Sequence, residues 1–334
     1  MTIEDMAREL GVSKSTISRA LSGKGRIGSA TKEKICEYAE KNGFTPRAGR
    51  NRNINKTRNI AVVLPGDVYI TCSPFFQEGL LGVCEAANQM DYNVVITTST
   101  GSDISRIKGL VENGKVDGIV LTREMENDKA IKYLAEMNFP TAILGIVPND
   151  KVIQVGCDNR VASENLTSML ISSGYRKFAV LLETTAFRVN RRRLEGIMEA
   201  WEKGGIPKEQ QLVYSVHDQM EFIDNLIVEI MNSKVECIIC GDDVICTKVI
   251  SKLQADGYRI PKNISIASLY NSSNLNCFSP AVTTVNVSAK AIGNMAAKQL
   301  INALNGNEYQ QKIYVDHEIL FRKSTPITWK NQEV

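Results

Sequence analysis

Two short runs near the amino terminus repeat apolar residues at helical spacing. Ile3, Met6, Ala7 and Leu10 form one stripe, and Thr16, Ile17, Ala20 and Leu21 form the next. Thr2 suits the first cap, with Asp5 three residues on as a loose capping box. Gly11 supplies the turn between the helices, Val12 plugs the core, and Ser13 caps the second helix. Lys14, Ser15, Ser18 and Arg19 then point outward. A third helix begins around Ser29-Ala30-Thr31, with Thr31 as its expected cap and Ile35, Tyr38 and Ala39 at core spacing. Gly43 marks its end, and Phe44-Thr45-Pro46 closes a compact head. Two helices about a tight turn are the geometry that lays a helix in the DNA major groove.

From Ile60 the pattern changes. Short β-branched runs alternate with amphipathic stretches. Strands are expected at 60–64, 93–97, 118–121 and 141–144, with helices at 75–90, 104–113 and 128–137. A second series begins near Val152, with helices at 161–173, 191–203, 220–231 and 244–255 and strands at 178–182, 236–240 and 264–269. After Val282-Thr283-Thr284-Val285 a last helix at 289–304 returns the chain to the first lobe. This doubled α/β pattern predicts parallel sheets in two lobes, with a cleft at the strand carboxyl ends.

Charge sharpens the reading of the head. Residues 1–60 carry 13 Lys and Arg against 6 Asp and Glu, whereas the other 274 residues carry 27 against 31. A basic head on a mildly acidic body is the footprint of a modular nucleic-acid binder. Residues 47–59 are polar and cationic, a linker composition. No apolar stretch approaches the roughly 18 to 20 residues of a membrane span. The start, with Glu4 and Asp5, lacks the apolar core of a signal peptide, so a cytoplasmic chain is expected. The eight cysteines are scattered, several in apolar runs, which fits reduced, buried thiols. Cys237 and Cys240 resemble a metal pair in spacing, but strand positions three apart face opposite ways. With only His217 and His317, and no phosphate-binding glycine loop, the chain lacks recognisable catalytic constellations and implies no cofactor.

The head, linker and body together resemble the lac repressor family of bacterial transcription factors. The resemblance rests on Thr2–Ser22 and on Ser73-Pro74-Phe75-Phe76, Cys157-Asp158-Asn159, Arg193-Leu194-Glu195-Gly196, Gly241-Asp242-Asp243, the run from Ile260 to Ser265, and Thr283-Thr284-Val285. It implies an all-α helix-turn-helix head (1–46), a hinge (47–59) and a two-lobed, type I periplasmic-binding-protein-like α/β domain (60–334). Lobe 1 would span about 60–157 and 287–318, and lobe 2 about 158–286 and 319–334. The resemblance also implies a homodimer on a pseudo-palindromic DNA operator, a repressor controlled by a small-molecule effector held between the lobes. A dimer rather than a tetramer is expected, since no heptad run follows Ile319.

By the same resemblance, base reading falls to Lys14, Ser15 and Arg19. Ser13, Thr16, Ser22 and Thr31 suit phosphate oxygens, and Ser18 shares the outward face. The hinge departs from the family, which places an Ala-rich helix and a wedging leucine there. Ile54 alone could act as a wedge, and Arg50 and Arg52 could enter a narrow minor groove; a flexible cationic tether is an equal alternative. In the pocket, Arg193 matches the anchoring arginine and Asp243 the aspartate that accepts from ligand hydroxyls, with Thr122 beside them. Arg191 and Arg192 read as surface charges. Of Phe75 and Phe76, one is expected to stack on the ligand and one to join the core. Sugar-responsive relatives carry another aspartate after the strand at 264–269, where this chain has Tyr270-Asn271. That exchange, with a bulkier Gly66–Ser73 segment, suggests a saccharide larger or more aromatic than a simple hexose, such as an oligosaccharide or glycoside. The alternative is a ligand-independent or partner-controlled regulator of the same fold; less favoured are a carbohydrate-processing enzyme and a solute-binding protein.

Overall fold

A computed structural model describes residues 3–22, 27–41, 56–66, 73–100, 102–216 and 220–327. The chain divides into two compact units, residues 1–57 and 58–334.

In the first unit, α1 (Ile3–Leu10), α2 (Lys14–Ser22) and α3 (Ser29–Lys41) enclose a small core of Met6, Ala7, Ile17, Ala20, Ile35 and Ala39. Gly11 takes a left-handed φ of 65°, which reverses the chain between α1 and α2. Val12 is half-buried against the core. Ser13 caps α2 as the spacing predicts, its hydroxyl accepting the Thr16 N–H at 3.1 Å. Thr31 does not cap α3. The helix starts two residues earlier, and the Gly28 carbonyl accepts the N–H groups of Thr31 and Lys32. Thr2, Gly43 and the Phe44-Thr45-Pro46 turn lie outside the described residues, as does the expected hinge at Arg50, Arg52 and Ile54.

The second unit holds two six-stranded sheets. The first runs in the order β11 (Lys312–Tyr314), β5 (Ile153–Gly156), β4 (Thr141–Leu144), β3 (Gly118–Leu121), β1 (Asn59–Pro65) and β2 (Asn93–Ser99), all parallel. The second runs β12 (Glu318–Leu320), β10 (Thr283–Asn286), β9 (Ser265–Ser268), β8 (Cys237–Cys240), β6 (Phe178–Leu182) and β7 (Gln211–Ser215). Helices cover both faces, so strand interiors are buried on both sides and read as continuous apolar runs. α4 (Pro74–Gln89) and α12 (Ala289–Asn305) cover one face of the first sheet, and α5 (Ser105–Glu112) and α6 (Lys129–Glu136) the other. α7 (Asn159–Ser172) and α8 (Arg188–Lys203) oppose α9 (Met220–Asn232) and α10 (Asp243–Ala255) across the second. A one-turn helix, α11 (Ser273–Asn276), follows β9.

The strand after Val152, β5, completes the core of the first lobe, so the second series of elements starts with α7. The chain crosses between lobes after β5, after β10 and between β11 and β12. These crossings explain the one exception to parallel order, the antiparallel pairing of β10 with β12. β10 runs toward the crossover and leaves the lobe, whereas β12 has just entered there, so the two must run oppositely.

Cys237 and Cys240 serve different cores on opposite faces of β8, as strand periodicity requires. Cys157 and Cys246 are buried too. Cys36 and Cys84 are half-buried and Cys277 is exposed, so burial does not extend to every thiol; Cys72 lies outside the described residues. No described helix is long and apolar enough to cross a membrane.

Candidate DNA-reading face and effector cavity

On α2 the inward positions Ile17 and Ala20 are buried, while Ser13, Lys14, Ser15, Ser18 and Arg19 are exposed. The amphipathic spacing therefore places these five polar side chains together at the start and along one side of the helix. Thr16 is half-buried instead of inward. Its hydroxyl lies 2.8 Å from that of Ser13, which is 2.7 Å from Ser15 Oγ. Lys14 forms an ion pair with Glu4 of α1. Thr31 is half-buried in the first turn of α3, and the Ser22 side chain lies outside the described residues.

In the second unit a cavity of about 130 Å³ lies between the lobes. Phe75, Phe76, Thr122, Arg123, Glu124 and Ile292 line it from the first lobe. Glu183, Phe187, Asn190, Arg193, Asp242 and Tyr270 line it from the second. Pro74 at the first position of α4 sets the helix start. Phe76 is thereby packed into the first-lobe core and Phe75 left half-buried beside it. Their rings meet edge-on at 5.5 Å, and Phe75 meets Tyr270 the same way at 5.7 Å.

Arg193 is buried at 8 % exposure. One guanidinium nitrogen donates to the Leu269 carbonyl at 3.4 Å, and Nε has no hydrogen-bond partner. Burial works against its charge, and the Asp242 carboxylate is the largest charge that supports it. Asp242 faces the cavity while capping α10, accepting the Ile245 N–H at 2.8 Å.

Asp243, its neighbour, is not part of the lining. It is buried near Ser272 with Oδ1 unpartnered, and burial raises its carboxyl to about 6. Asn271 is also absent from the lining. Its amide donates to Asn286 Oδ1 at 3.1 Å, and its carbonyl oxygen accepts from Thr284 and Arg322, both at 3.1 Å. It holds the β9–β10 junction. Tyr270 does line the cavity, and burial together with the Glu78 carboxylate pushes its phenol up. Thr122 donates to the Val63 carbonyl at 2.8 Å, bonding within its own sheet. Gly66 and Ser73 are described, but residues 67–72 between them are not.

The sequence reading missed Glu124, Phe187 and Asn190. Glu124 follows β3 at its carboxyl end, where ligands of α/β sheets collect, and that placement was the available signal. Its carboxyl, at 8 % exposure, is pushed up to about 7. Burial is the chief cause, opposed by the Ile146 N–H and then by the Arg188 guanidinium. Arg191 and Arg192 are more than solvated charges. Beside the cavity Arg188 and Arg191 pair with Glu126 at 3.2 and 2.8 Å, joining the lobes. Met125 bridges to Phe187, Arg188 Nε donates to the Ile146 carbonyl at 3.0 Å, and the Arg123 guanidinium sits 4.5 Å from the Phe187 ring centre. Arg192 pairs with Glu195 at 2.7 Å and with Asp158 at 3.6 Å.

The head and the body each match a family model. Residues 2–47 match the bacterial regulatory proteins of the lacI family. Residues 57–322 match the periplasmic binding proteins and sugar binding domain of the LacI family. The chain is 27 % identical to the HTH-type transcriptional regulator RegA of Clostridium saccharobutylicum, over 97 % of this chain and 99 % of the relative. It is 26 % identical to catabolite control protein A of Priestia megaterium, with the same coverage. The structure of a transcriptional regulator CelR–cellobiose complex superposes with a TM-score of 0.72 at 23 % identity, covering 97 % of this chain and 99 % of that one, a likeness of fold. A basic helix-turn-helix head, a two-lobed α/β body and matches across both units make this chain a DNA-binding transcriptional regulator of the LacI family.

Proposed function

We propose that the protein is a homodimeric repressor whose affinity for a pseudo-palindromic operator is set by a saccharide bound between the lobes. The observation that carries this is the cavity itself. Both lobes contribute to its walls, and those walls combine aromatic rings with a few convergent polar groups, the make-up of a small-molecule site. Aromatic rings suit the apolar faces of a sugar, and Arg193, Asn190 and Asp242 suit its hydroxyls. Two α2 helices, one per subunit, read the two half-sites through Lys14, Ser15 and Arg19. A ligand that binds one lobe arrangement better than the other shifts the spacing of the heads, a coupling of about 1 to 3 kcal/mol.

The experiment has two stages. Full-length protein first selects its operator from random duplex DNA, and sedimentation gives the stoichiometry. Operator affinity is then measured with and without mono-, di- and aryl-saccharides, alongside melting curves. A ligand at about 100 times its Kd stabilises the body by roughly 2.7 kcal/mol. A saccharide that shifts both melting and operator affinity, with the melting response lost in Arg193→Ala, is the expected outcome. Melting unmoved by every compound refutes effector control by saccharides. A selected site without two-fold symmetry refutes the dimeric readout.

A further inference from the structure

Resting on the saccharide reading, we propose that Glu124 determines which effectors are accepted. Its carboxylate takes ligand hydroxyls from the first lobe while Arg193 takes them from the second, and the pair selects neutral saccharides over sugar acids and sugar phosphates.

Three observations carry this. First, Glu124 has acceptor capacity to spare. A carboxylate offers about four lone-pair sites. Here the Ile146 N–H engages one, and Arg188 Nε, 4.0 Å away, is beyond hydrogen-bond length. A buried acceptor facing a cavity gains most from a ligand donor, because water is excluded there.

Second, the backbone is shaped around this side chain. A Cβ on Gly145 would lie 2.0 Å from Glu124 Oε1 and 2.3 Å from its carboxyl carbon. Only glycine at 145 leaves room for the carboxyl where it stands.

Third, the charge balance of the lining opposes an anion. Its charged residues are Arg123 and Arg193 against Glu124, Glu183 and Asp242. Arg193 already faces the Asp242 carboxylate, and Arg188 is paired with Glu126. Acidic side chains outnumber basic ones in the lining, which disfavours a carboxylate or phosphate group. Burial already raises the Glu124 carboxyl toward protonation, and a ligand anion beside it would raise it further.

The test compares binding of cellobiose, maltose, glucuronate and glucose 6-phosphate to full-length wild type, Glu124→Gln and Gly145→Ala, by calorimetry and melting. Glu124→Gln keeps the shape and removes the charge, whereas Gly145→Ala crowds the carboxyl from the cavity wall and strains its own backbone, which has a φ of 150°. Ligand-free melting curves establish that each variant is folded. The expected result is that a neutral disaccharide binds wild type and both anions bind weakly or not at all. In each variant the neutral sugar binds about tenfold weaker or worse. In Glu124→Gln the gap between neutral and anionic probes also narrows. Equal neutral-sugar affinity in wild type and Glu124→Gln, or tighter binding of an anion than of a neutral sugar by wild type, overturns the assignment of Glu124 alone. Failure of all four probes to bind wild type overturns the saccharide reading, and this inference with it.

Discussion

Replacing Gly82 by alanine tests how the first lobe is assembled, and with it the wall that carries Phe75, Phe76 and Ile292. Gly82 lies on α4 against α12, where an added Cβ would stand 2.0 Å from the Lys290 carbonyl oxygen and 2.8 Å from the Asn294 nitrogen. Both are backbone atoms, so no flexible side chain can yield. Ordinary contact begins near 3.4 Å, and the helices must part by ~1.4 Å. Such overpacking costs about 1 to 3 kcal/mol, with a backbone clash at the upper end. Alanine returns roughly 0.5 to 1 kcal/mol through its better helix propensity. The net loss is about 2 kcal/mol, or about 4 to 8 °C in the melting temperature of a domain this size. Gly109 on α5 supplies the control, because a Cβ there meets nothing within 4 Å. Gly109→Ala should instead raise the melting temperature by about 1 to 4 °C. Circular dichroism melts of the two variants beside wild type decide the matter. Destabilisation of both, or stabilisation of both, refutes the assignment of close helix contact to Gly82.

Three further outcomes are expected. Ser13→Ala removes the hydroxyl that accepts the Thr16 N–H and should cost the head about 1 kcal/mol, read as earlier melting of the head helices. Arg19→Ala should lose about 1 to 3 kcal/mol of discrimination between operator and scrambled DNA; an unchanged ratio of the two affinities rejects a base-reading role. The raised Glu124 carboxyl gives a pH signature. Its pKa is about 7 in the folded body against 4.5 for the free group, so between these values the folded state holds a proton that the unfolded state has lost. Stability should therefore fall as pH rises from about 4.5 to 7, by up to about 3 kcal/mol from this group. Glu124→Gln should flatten that slope, and an identical slope in the variant counts against the assignment.

Much of this architecture was legible because its signals are local. The Gly11 turn, the Ser13 cap and the apolar phase of α2 depend on residues a few positions apart. Buried strands such as Phe178–Leu182 stand out because both faces demand apolar side chains. The edge strands did not: Gln211–Ser215 alternates exposure, and Lys312–Tyr314 and Glu318–Leu320 have three residues each, too few to show a period. α8 begins at Arg188, earlier than expected. Its first turn is polar because Arg188 and Arg191 reach the opposite lobe.

The cavity was legible only in part, since its residues meet through tertiary packing. Arg193, Phe75 and Tyr270 fell where the motifs placed them. Asp243 and Asn271 did not, because helix capping turned Asp242 toward the cavity and the Thr284–Arg322 cluster claimed Asn271. Glu124 escaped notice because a single carboxylate in a loop has no periodic signature. Only the fold reveals that it is buried.

The repeated crossing of the chain between lobes also sets an order of assembly during synthesis. The second lobe is drawn from one contiguous stretch, apart from its edge strand β12. The first lobe has five of its six strands by Gly156, yet α12, which supplies Ile292, Ala296, Ala297, Leu300 and Ile301 to its core, ends only at Asn305. At about 5 to 20 residues per second, the apolar flank of β3, β4 and β5 waits roughly 7 to 30 s for its cover. The lobe that begins first therefore completes its buried core last. During that interval the uncovered apolar flank is exposed to aggregation and to chaperones.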